Sequence, residues 1–164
     1  MSLILFAHGL EGSPQGRKPA AMRAAGLDPM VPDCRGMPLA ERVATLESVL
    51  AGRTEVLLVG SSYGGLASMV LVSRDPGRFR GLVLCAPALN WREHPAEAPD
   101  QLTVPPSLPC VVLHGRHDQV VPLAVSQRLV RRSGPHVELL ELDDDHGLSA
   151  SIPTLLDAIR RLDR

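Results

Sequence analysis

The sequence predicts a three-layer α/β/α fold built on a mainly parallel six-stranded β-sheet. Three observations predict it: short apolar runs recur along the chain, most of them are hydrophobic without alternation, and segments with helical spacing lie between them. Strands that are buried on both faces are hydrophobic throughout, whereas half-exposed strands alternate. Strands that alternate with helices form right-handed βαβ units, which place helices on both faces of a parallel sheet.

Six apolar runs are predicted to be the strands of this sheet. The run at the N-terminus lacks a basic segment and is too short for a signal peptide or a membrane span, so we interpret it as the first strand. The six runs cover residues 3–7, a weaker 28–32, 55–59, 81–86, 110–114 and 137–142.

Five segments have the spacing of amphipathic helices. In one of them Leu39, Val43, Leu46 and Leu50 recur at intervals of three or four residues, which places them on one helical face. A second apolar stripe runs through residues 148–162. Shorter helices are predicted at about 18–25, 63–74 and 123–132.

The stretch between residues 87 and 109 fits neither pattern. It contains six prolines together with Trp91 and His94. We predict an ordered excursion or a short lid, rather than a linker, because the length of 164 residues is typical of one domain that spans 1–164.

The charge balance gives no sign of a polyanionic partner. Lys and Arg number 17 and Asp and Glu number 18, for a formal net charge of −1. Nucleic-acid-binding and membrane-binding surfaces require a basic excess, so we expect neither partner. We expect a small-molecule substrate and no cofactor, and the sequence leaves the oligomeric state open.

The cysteines indicate a reducing compartment. Cys34, Cys85 and Cys110 are an odd number, and the last two lie in or beside apolar runs. This pattern favours buried, reduced thiols and a cytoplasmic protein.

One motif carries nucleophile chemistry. The chain has Gly60-Ser61-Ser62-Tyr63-Gly64 between a predicted strand and a predicted helix, which is the setting of a Gly-x-Ser-x-Gly nucleophile turn. The glycines let strand and helix approach closely, and Ser62 would stand at the N-terminus of the helix. The alternative is a glycine-flanked serine that merely begins a helix.

A serine hydroxyl needs a base to take its proton, so a histidine and an acid are expected later in the chain. Asp118 follows the strand at 110–114, and His146 follows the strand at 137–142. The aspartates at 143–145 are alternative acids. They would have to fold back on His146, so Asp118 is favoured as the acid that orients the base.

The other histidines are weaker candidates for the base. His114 and His8 lie near the predicted site, and we interpret both as hydrogen-bonded structural residues. His114, His117, Asp118 and the acidic run at 143–145 could be considered metal ligands, but their spacing matches no familiar zinc pattern, so no metal is predicted.

Acyl transfer also needs two N–H donors for the oxyanion. We assign them to the amides of Tyr63, which follows the nucleophile, and of Leu10, in the loop after the first strand. Trp91 either walls the pocket or packs under the excursion, and Arg35 is either a substrate anchor or a solvated charge. Candidate substrate-binding residues are His8, Glu11, Arg35, Trp91 and Val120.

Taken together, His8-Gly9, residues 60–64, residues 115–122 and Asp145-His146 resemble the α/β-hydrolase superfamily. The short length and Gly12-Ser13-Pro14 are similar to the compact, lidless bacterial YqiA-like esterases. The resemblance covers nearly the whole chain. It implies a minimal α/β-hydrolase fold that begins at the third strand of larger members, has six strands and lacks room for a cap.

The resemblance also implies residue roles. By position, Ser62, Asp118 and His146 would form the triad, and the amides of Leu10 and Tyr63 would form the oxyanion hole. The resulting hypothesis is a serine hydrolase that cleaves a small carboxylic ester or thioester through an acyl-enzyme. The alternatives are an amide or peptide hydrolase with the same triad, and a non-catalytic binding protein on the same fold.

Overall fold

The sheet of this protein is parallel throughout the described part of the chain. A computed structural model describes residues 2–164. Its strands are β1 (Ile4–Ala7), β2 (Pro29–Met30), β3 (Val56–Ser61), β4 (Phe79–Cys85), β5 (Cys110–Gly115) and β6 (Val137–Leu142). They form one sheet in the order β2-β1-β3-β4-β5-β6, and every neighbouring pair is parallel. The predicted six-stranded sheet is confirmed.

Five α-helices connect or follow the strands, as the spacing predicted. They are α1 (Arg17–Ala24), α2 (Leu39–Val49), α3 (Tyr63–Arg74), α4 (Leu123–Ser133) and α5 (Ile152–Leu162). The predicted start of the last helix at 148 is four residues early. Leu148 has a left-handed backbone with φ 53°, and a 3₁₀ turn over Ser149–Ser151 precedes α5. A residue in that conformation cannot belong to a right-handed helix.

The core lies in two layers, one on each face of the sheet. Residues of α2, α3 and α4 pack with one set of strand side chains, and residues of α1 and α5 pack with the other set. Consecutive residues alternate between the layers, so Leu58 faces one and Val59 the other. Both faces are therefore covered, and the three-layer prediction is confirmed.

The stretch between β4 and β5 is an ordered excursion. Ala96, Val104 and Leu108 are buried in the core layer of α2 to α4. Arg132 of α4 donates hydrogen bonds from Nε to the carbonyl of Leu102 and from Nη2 to that of Pro99. These contacts fasten the excursion against the helices.

The three cysteines are buried and unpaired. Burial raises the pKa of Cys85 to about 11 and raises the pKa of Cys34 and Cys110 as well. They are therefore unreactive thiols of the core. Across residues 2–164 no helix combines the length and apolar character that crossing a bilayer requires.

In a parallel sheet, the carboxyl ends of all strands lie at the same edge. The carboxyl ends of β1, β3, β4, β5 and β6 meet at one edge, and the loops that follow them converge there. Ligand sites of such sheets lie at this edge. The predicted nucleophile, base, acid and oxyanion loop all follow these strand ends.

Candidate active site

Ser62 occupies a strained turn between β3 and α3. Its backbone has φ 55° and ψ −114°, a conformation that costs a non-glycine residue about 1–3 kcal/mol. The end of β4 holds it there: the Ser62 N–H donates to the Cys85 carbonyl at 2.8 Å, and the Ala88 N–H donates to the Ser62 carbonyl at 3.0 Å. These bonds hold Ser62 in the strained conformation at the carboxyl edge of the sheet.

The glycines of the motif are required by close backbone packing. A Cβ at Gly64 would lie 2.0 Å from the carbonyl oxygen of Ala7. A Cβ at Gly60 would lie 2.3 Å from Ser68 Oγ and 2.9 Å from Gly65 Cα. Only glycine therefore lets α3 begin this close to β1 and β3.

His146 lies between Ser62 and Asp118. Its Nδ1 is 2.7 Å from Asp118 Oδ2, and its Nε2 is 3.0 Å from Ser62 Oγ. An ionised carboxylate only accepts hydrogen bonds, so Nδ1 carries the proton and Nε2 presents its lone pair to the serine hydroxyl. An imidazole placed in this way can take the proton of Ser62.

Asp118 is held by several donors. Its side chain is fully buried, with 0% exposed, and Oδ1 accepts the N–H groups of Val120 and Val121, both at 2.8 Å. His114 Nε2 lies 3.3 Å from Oδ2. The two backbone donors fix the orientation of the carboxylate toward His146.

His114 has a structural role, as the sequence suggested. Its Nε2–H donates to the carbonyl of Val121 at 2.8 Å, and its Nδ1 accepts the hydroxyl of Ser126 at 2.7 Å. Burial lowers the pKa of His114, although the hydrogen bond to Val121 and the charge of Asp118 oppose the shift. The neutral ring supports the loop that carries the acid.

The acid loop and the base loop are joined through the backbone. The Arg116 N–H donates to Leu142 at 2.8 Å, and the His117 N–H donates to Asp144 at 3.1 Å. A Cβ at Gly115 would lie 2.4 Å from the Asp144 carbonyl oxygen, so the glycine allows the two loops to cross. Their separation, and with it the distance from acid to base, is fixed.

The aspartates before His146 are engaged elsewhere. The sequence left them as alternative acids, yet each carboxylate binds a group other than the imidazole. Asp143 pairs with His117, Asp144 accepts the Ser151 hydroxyl, and Asp145 accepts the Gly147 N–H.

The two assigned oxyanion donors lie beside the nucleophile. Tyr63 is the first residue of α3, where a helical N–H has no intrahelical partner. A Cβ at Gly9 would lie 3.5 Å from Ser62 Cβ, so the loop that carries Leu10 passes next to the serine. Among residues 2–164, neither the Leu10 nor the Tyr63 N–H donates to another protein group.

His8 and Arg35, two of the candidate substrate-binding residues, have other partners. His8 is buried, with Nδ1–H donating to the Gly9 carbonyl and Nε2 accepting the Cys34 N–H. Both ring nitrogens have protein partners, which agrees with a structural histidine, and a substrate-binding role for His8 stays a prediction. Arg35 forms a bidentate salt bridge with Asp33 at the protein surface, which agrees with the alternative of a solvated charge.

The remaining candidates are Trp91, Glu11 and Val120. Trp91 is 55% exposed and donates from Nε1 to Glu93, so the alternative that it packs under the excursion is wrong. Glu11 is exposed in the loop after β1. Val120 borders an open depression of about 810 Å³ that reaches His146 and also touches Arg17. Of these three residues, Val120 alone lines the depression.

Two charged residues near the site escaped the sequence analysis. Arg42 is 2% exposed and lies on the apolar face of α2, among Leu39, Val43 and Leu46. A charge within an apolar stripe is a signal that could have been used. Glu93, which binds the Tyr63 hydroxyl, lies in the proline-rich excursion, where no periodicity marks it.

Comparisons with solved structures agree with this fold. A protein assigned to the hydrolases of the α/β superfamily from Xanthomonas campestris is 25% identical, with a TM-score of 0.80 over 99% of this chain and 98% of that one. Alpha/beta hydrolase domain-containing protein 10 from mouse is 19% identical, with a TM-score of 0.81 over 97% and 88%. The monoacylglycerol lipase of Paleococcus ferrophilus is 14% identical, with a TM-score of 0.73 over 98% and 94%.

A sequence comparison identifies the family. No curated protein matches the chain significantly. The model of one family, described as serine aminopeptidase, S33, matches residues 6–106, which is more than half of the chain and includes the end of β1, all of β2 to β4 and Ser62. The chain therefore belongs to the serine aminopeptidase S33 family, a group of hydrolases within the α/β-hydrolase superfamily.

Proposed function

We propose that this hydrolase cleaves a small carboxylic ester or thioester through an acyl-enzyme. In this proposal Ser62 is the nucleophile, His146 the general base and Asp118 the acid that orients it. The observation that carries it is the unbroken hydrogen-bond chain from Ser62 Oγ through His146 to Asp118, at 3.0 and 2.7 Å.

Acylation follows from this chain. His146 Nε2 removes the hydroxyl proton while Ser62 Oγ attacks the carbonyl carbon, and the carbonyl oxygen becomes an oxyanion. The amides of Leu10 and Tyr63 donate to that oxygen as its charge develops. The imidazolium, stabilised by Asp118, then gives its proton to the departing alcohol or thiol, and the acyl group stays on Ser62.

Deacylation repeats the same steps with water. His146 takes a proton from the attacking water and returns one to Ser62 Oγ, which releases the carboxylic acid. The depression beside His146 offers space for the water and the leaving group. The three unpaired cysteines support a cytoplasmic location for this reaction.

The family description favours one second candidate, a peptide hydrolase that acts on a free N-terminus. Such an enzyme needs a carboxylate available for the α-ammonium group. Glu93, a half-buried carboxylate that binds the side chain of Tyr63, already accepts from Leu39, Tyr63 and Trp91. These bonds leave Glu93 less available for an ammonium group, and the exposed Glu11 is the other carboxylate that the peptide candidate could use.

A fluorophosphonate probe tests the proposal. The purified protein is labelled, the modified serine is mapped by mass spectrometry, and initial rates are measured on p-nitrophenyl esters, acyl thioesters and amino-acid anilides. We expect label on Ser62, loss of label and activity in Ser62→Ala, and retained label in the neighbouring Ser61→Ala. Turnover of anilides above esters would favour the peptide hydrolase, and an unlabelled Ser62 without ester turnover would favour a binding protein.

A further inference from the structure

We propose that Arg42 is a positioning residue that holds both oxyanion donors, the amides of Leu10 and Tyr63, in their productive orientation. The inference rests on the proposed function, because it concerns the same site. It adds a residue outside the motif, from the first turn of α2, to the machinery that stabilises the transition state.

The first support is the contact between Arg42 and the loop after β1. Its guanidinium donates from Nη1 to the His8 carbonyl at 2.6 Å and from Nη2 to the Gly9 carbonyl at 3.3 Å. The Gly9 carbonyl and the Leu10 N–H belong to one planar trans peptide group, so they point in opposite directions. Fixing the carbonyl from the α2 side therefore fixes the direction of the Leu10 N–H.

The same carbonyl accepts two further donors, which come from within the loop. His8 Nδ1 lies 2.8 Å from the Gly9 oxygen, and the Gly12 N–H lies 3.1 Å from it. Arg42 supplies the charged donor and joins the loop to a rigid helix. A cation on a peptide carbonyl also polarises that peptide, which makes its N–H a better donor.

The second support is the contact with Tyr63. The guanidinium carbon of Arg42 lies 4.6 Å from the centre of the Tyr63 ring, within the range of a cation–π interaction. The Tyr63 hydroxyl donates to Glu93 Oε1 at 2.7 Å. The ring is held on its face and at its end, so the residue that supplies the other oxyanion donor is fixed as well.

The cost of burial argues that Arg42 has more than a packing role. Burial lowers the pKa of Arg42, partly offset by charges that include Glu93, and the hydrogen bonds of its guanidinium go to the carbonyls of His8, Gly9 and Met37. Leu or Met would fill the apolar stripe of α2 without desolvating a charge. The arginine fork, however, grips two successive carbonyls of the oxyanion loop, which an apolar side chain cannot do.

The test compares Arg42→Lys and Arg42→Met with the matched control Arg78→Met. Arg78 also donates to two carbonyls, those of Leu50 and Arg53, and pairs with Asp75. It precedes β4, at the edge of the sheet opposite the site. Lysine keeps the charge of Arg42 and loses the fork, so it tests positioning even where Arg42→Met folds poorly.

Two readouts separate positioning from stability. The first is kcat and KM on the best ester of the panel. The second is the inhibition constant of an alkyl trifluoromethyl ketone, whose adduct with Ser62 carries an oxyanion, set against that of the matching methyl ketone. We expect kcat of Arg42→Lys to fall roughly tenfold to a hundredfold with KM nearly unchanged, because removing a whole donor costs about 10² to 10³.

In Arg42→Lys, the inhibition constant of the trifluoromethyl ketone should rise by the same factor by which kcat falls. The inhibition constant of the methyl ketone should stay nearly unchanged. Arg42→Met should be slower than Arg42→Lys, while Arg78→Met keeps wild-type kcat. A folded Arg42→Lys with wild-type kcat and ketone affinity would overturn the inference and leave the proposed function intact. Equal weakening of both ketones would also overturn it. Wild-type protein without Ser62-dependent ester turnover would instead refute the proposed function.

Discussion

The carboxylate of Asp118 holds His146 in place beside Ser62. Asp118 is fully buried and accepts two backbone N–H groups on one oxygen and His146 on the other. Asp143, which is only three residues from His146 in sequence, has a side chain that is 87% exposed and pairs with His117. The residue that binds His146 is therefore determined by the geometry of the loop after β5, and not by closeness to His146 in the sequence.

Replacing Asp118 by asparagine should disable the base. The amide can donate to Nδ1, which favours the imidazole tautomer whose Nε2 carries the proton and cannot accept one from Ser62. We expect kcat for ester hydrolysis to fall by roughly 10³ to 10⁴. Steady-state kinetics of Asp118→Asn beside Asp143→Asn provide the measurement. An active Asp118→Asn together with an inactive Asp143→Asn would mean that the acid is misassigned.

Gly64 should tolerate no side chain. Alanine there would place its Cβ 2.0 Å from the Ala7 carbonyl, a backbone atom of β1 that cannot move aside. We expect Gly64→Ala to lower the free energy of unfolding by at least about 1–3 kcal/mol. The control is Gly77→Ala, whose Cβ would meet only Asp75 Oδ1 at 3.9 Å. Urea unfolding checks both variants, and equal stability would contradict the packing argument.

At the scale of elements, hydrophobic periodicity was sufficient to predict the layers. Strands buried on both faces have continuous apolar runs, so β1, β3, β4 and β5 could be found from the positions of these runs in the sequence. The short β2 gave a weaker signal because only Pro29–Met30 pair with β1. The nucleophile turn could also be predicted from the sequence. Its glycines are needed because the backbones of β1, β3 and α3 lie close together there.

Contacts between elements that are distant in sequence could not be predicted. Arg42 binds carbonyls 33 and 34 residues earlier, and Glu93 accepts from Tyr63 thirty residues away. Backbone carbonyls carry no sequence signature, because every residue has one. The anchoring of the oxyanion loop therefore depends on how α2 packs, which one sequence does not specify.

Two buried histidines at strand ends should make stability depend on pH. Burial lowers the pKa of His8, next to β1, and of His114, in β5. In the unfolded chain both would protonate near about 6.5, before the folded protein does. Stability is thus fully present above that value and is lost as the pH falls toward the folded-state pKa values, by about 1.4 kcal/mol per pH unit for each extra proton.

Urea unfolding of the wild type between pH 8 and pH 5 measures this slope. We expect His114→Gln to be less stable overall and to have a shallower slope, because one of the two titrating groups is gone. His94→Gln is the control for the loss of a surface histidine, since the His94 side chain is 76% exposed. A wild-type stability that is flat over this range would contradict the buried, neutral state of both rings.

At the scale of the whole molecule, the loops at the carboxyl edge form an uncovered rim. The excursion between β4 and β5 is fastened to the core by Val104 and Leu108, and none of its described residues lines the depression beside His146. In the part of the chain from residue 2 to 164, the large apolar side chains that are exposed are Leu10, Trp91 and Val120. All three lie in loops that follow strand ends, so the apolar surface offered to a substrate is small and open to water.

This openness should set the acyl-chain preference. A methylene that is fully buried contributes about 0.8 kcal/mol to binding, but one that remains in an open depression contributes far less. In a series of p-nitrophenyl esters, kcat/KM should therefore rise little after the shortest acyl groups and level off or fall at long chains. Val120→Ser, which removes an apolar side chain at the depression, should lower kcat/KM for medium chains more than for acetate. A steady increase of kcat/KM with each added methylene up to long chains would contradict this prediction, because it would require a buried acyl channel.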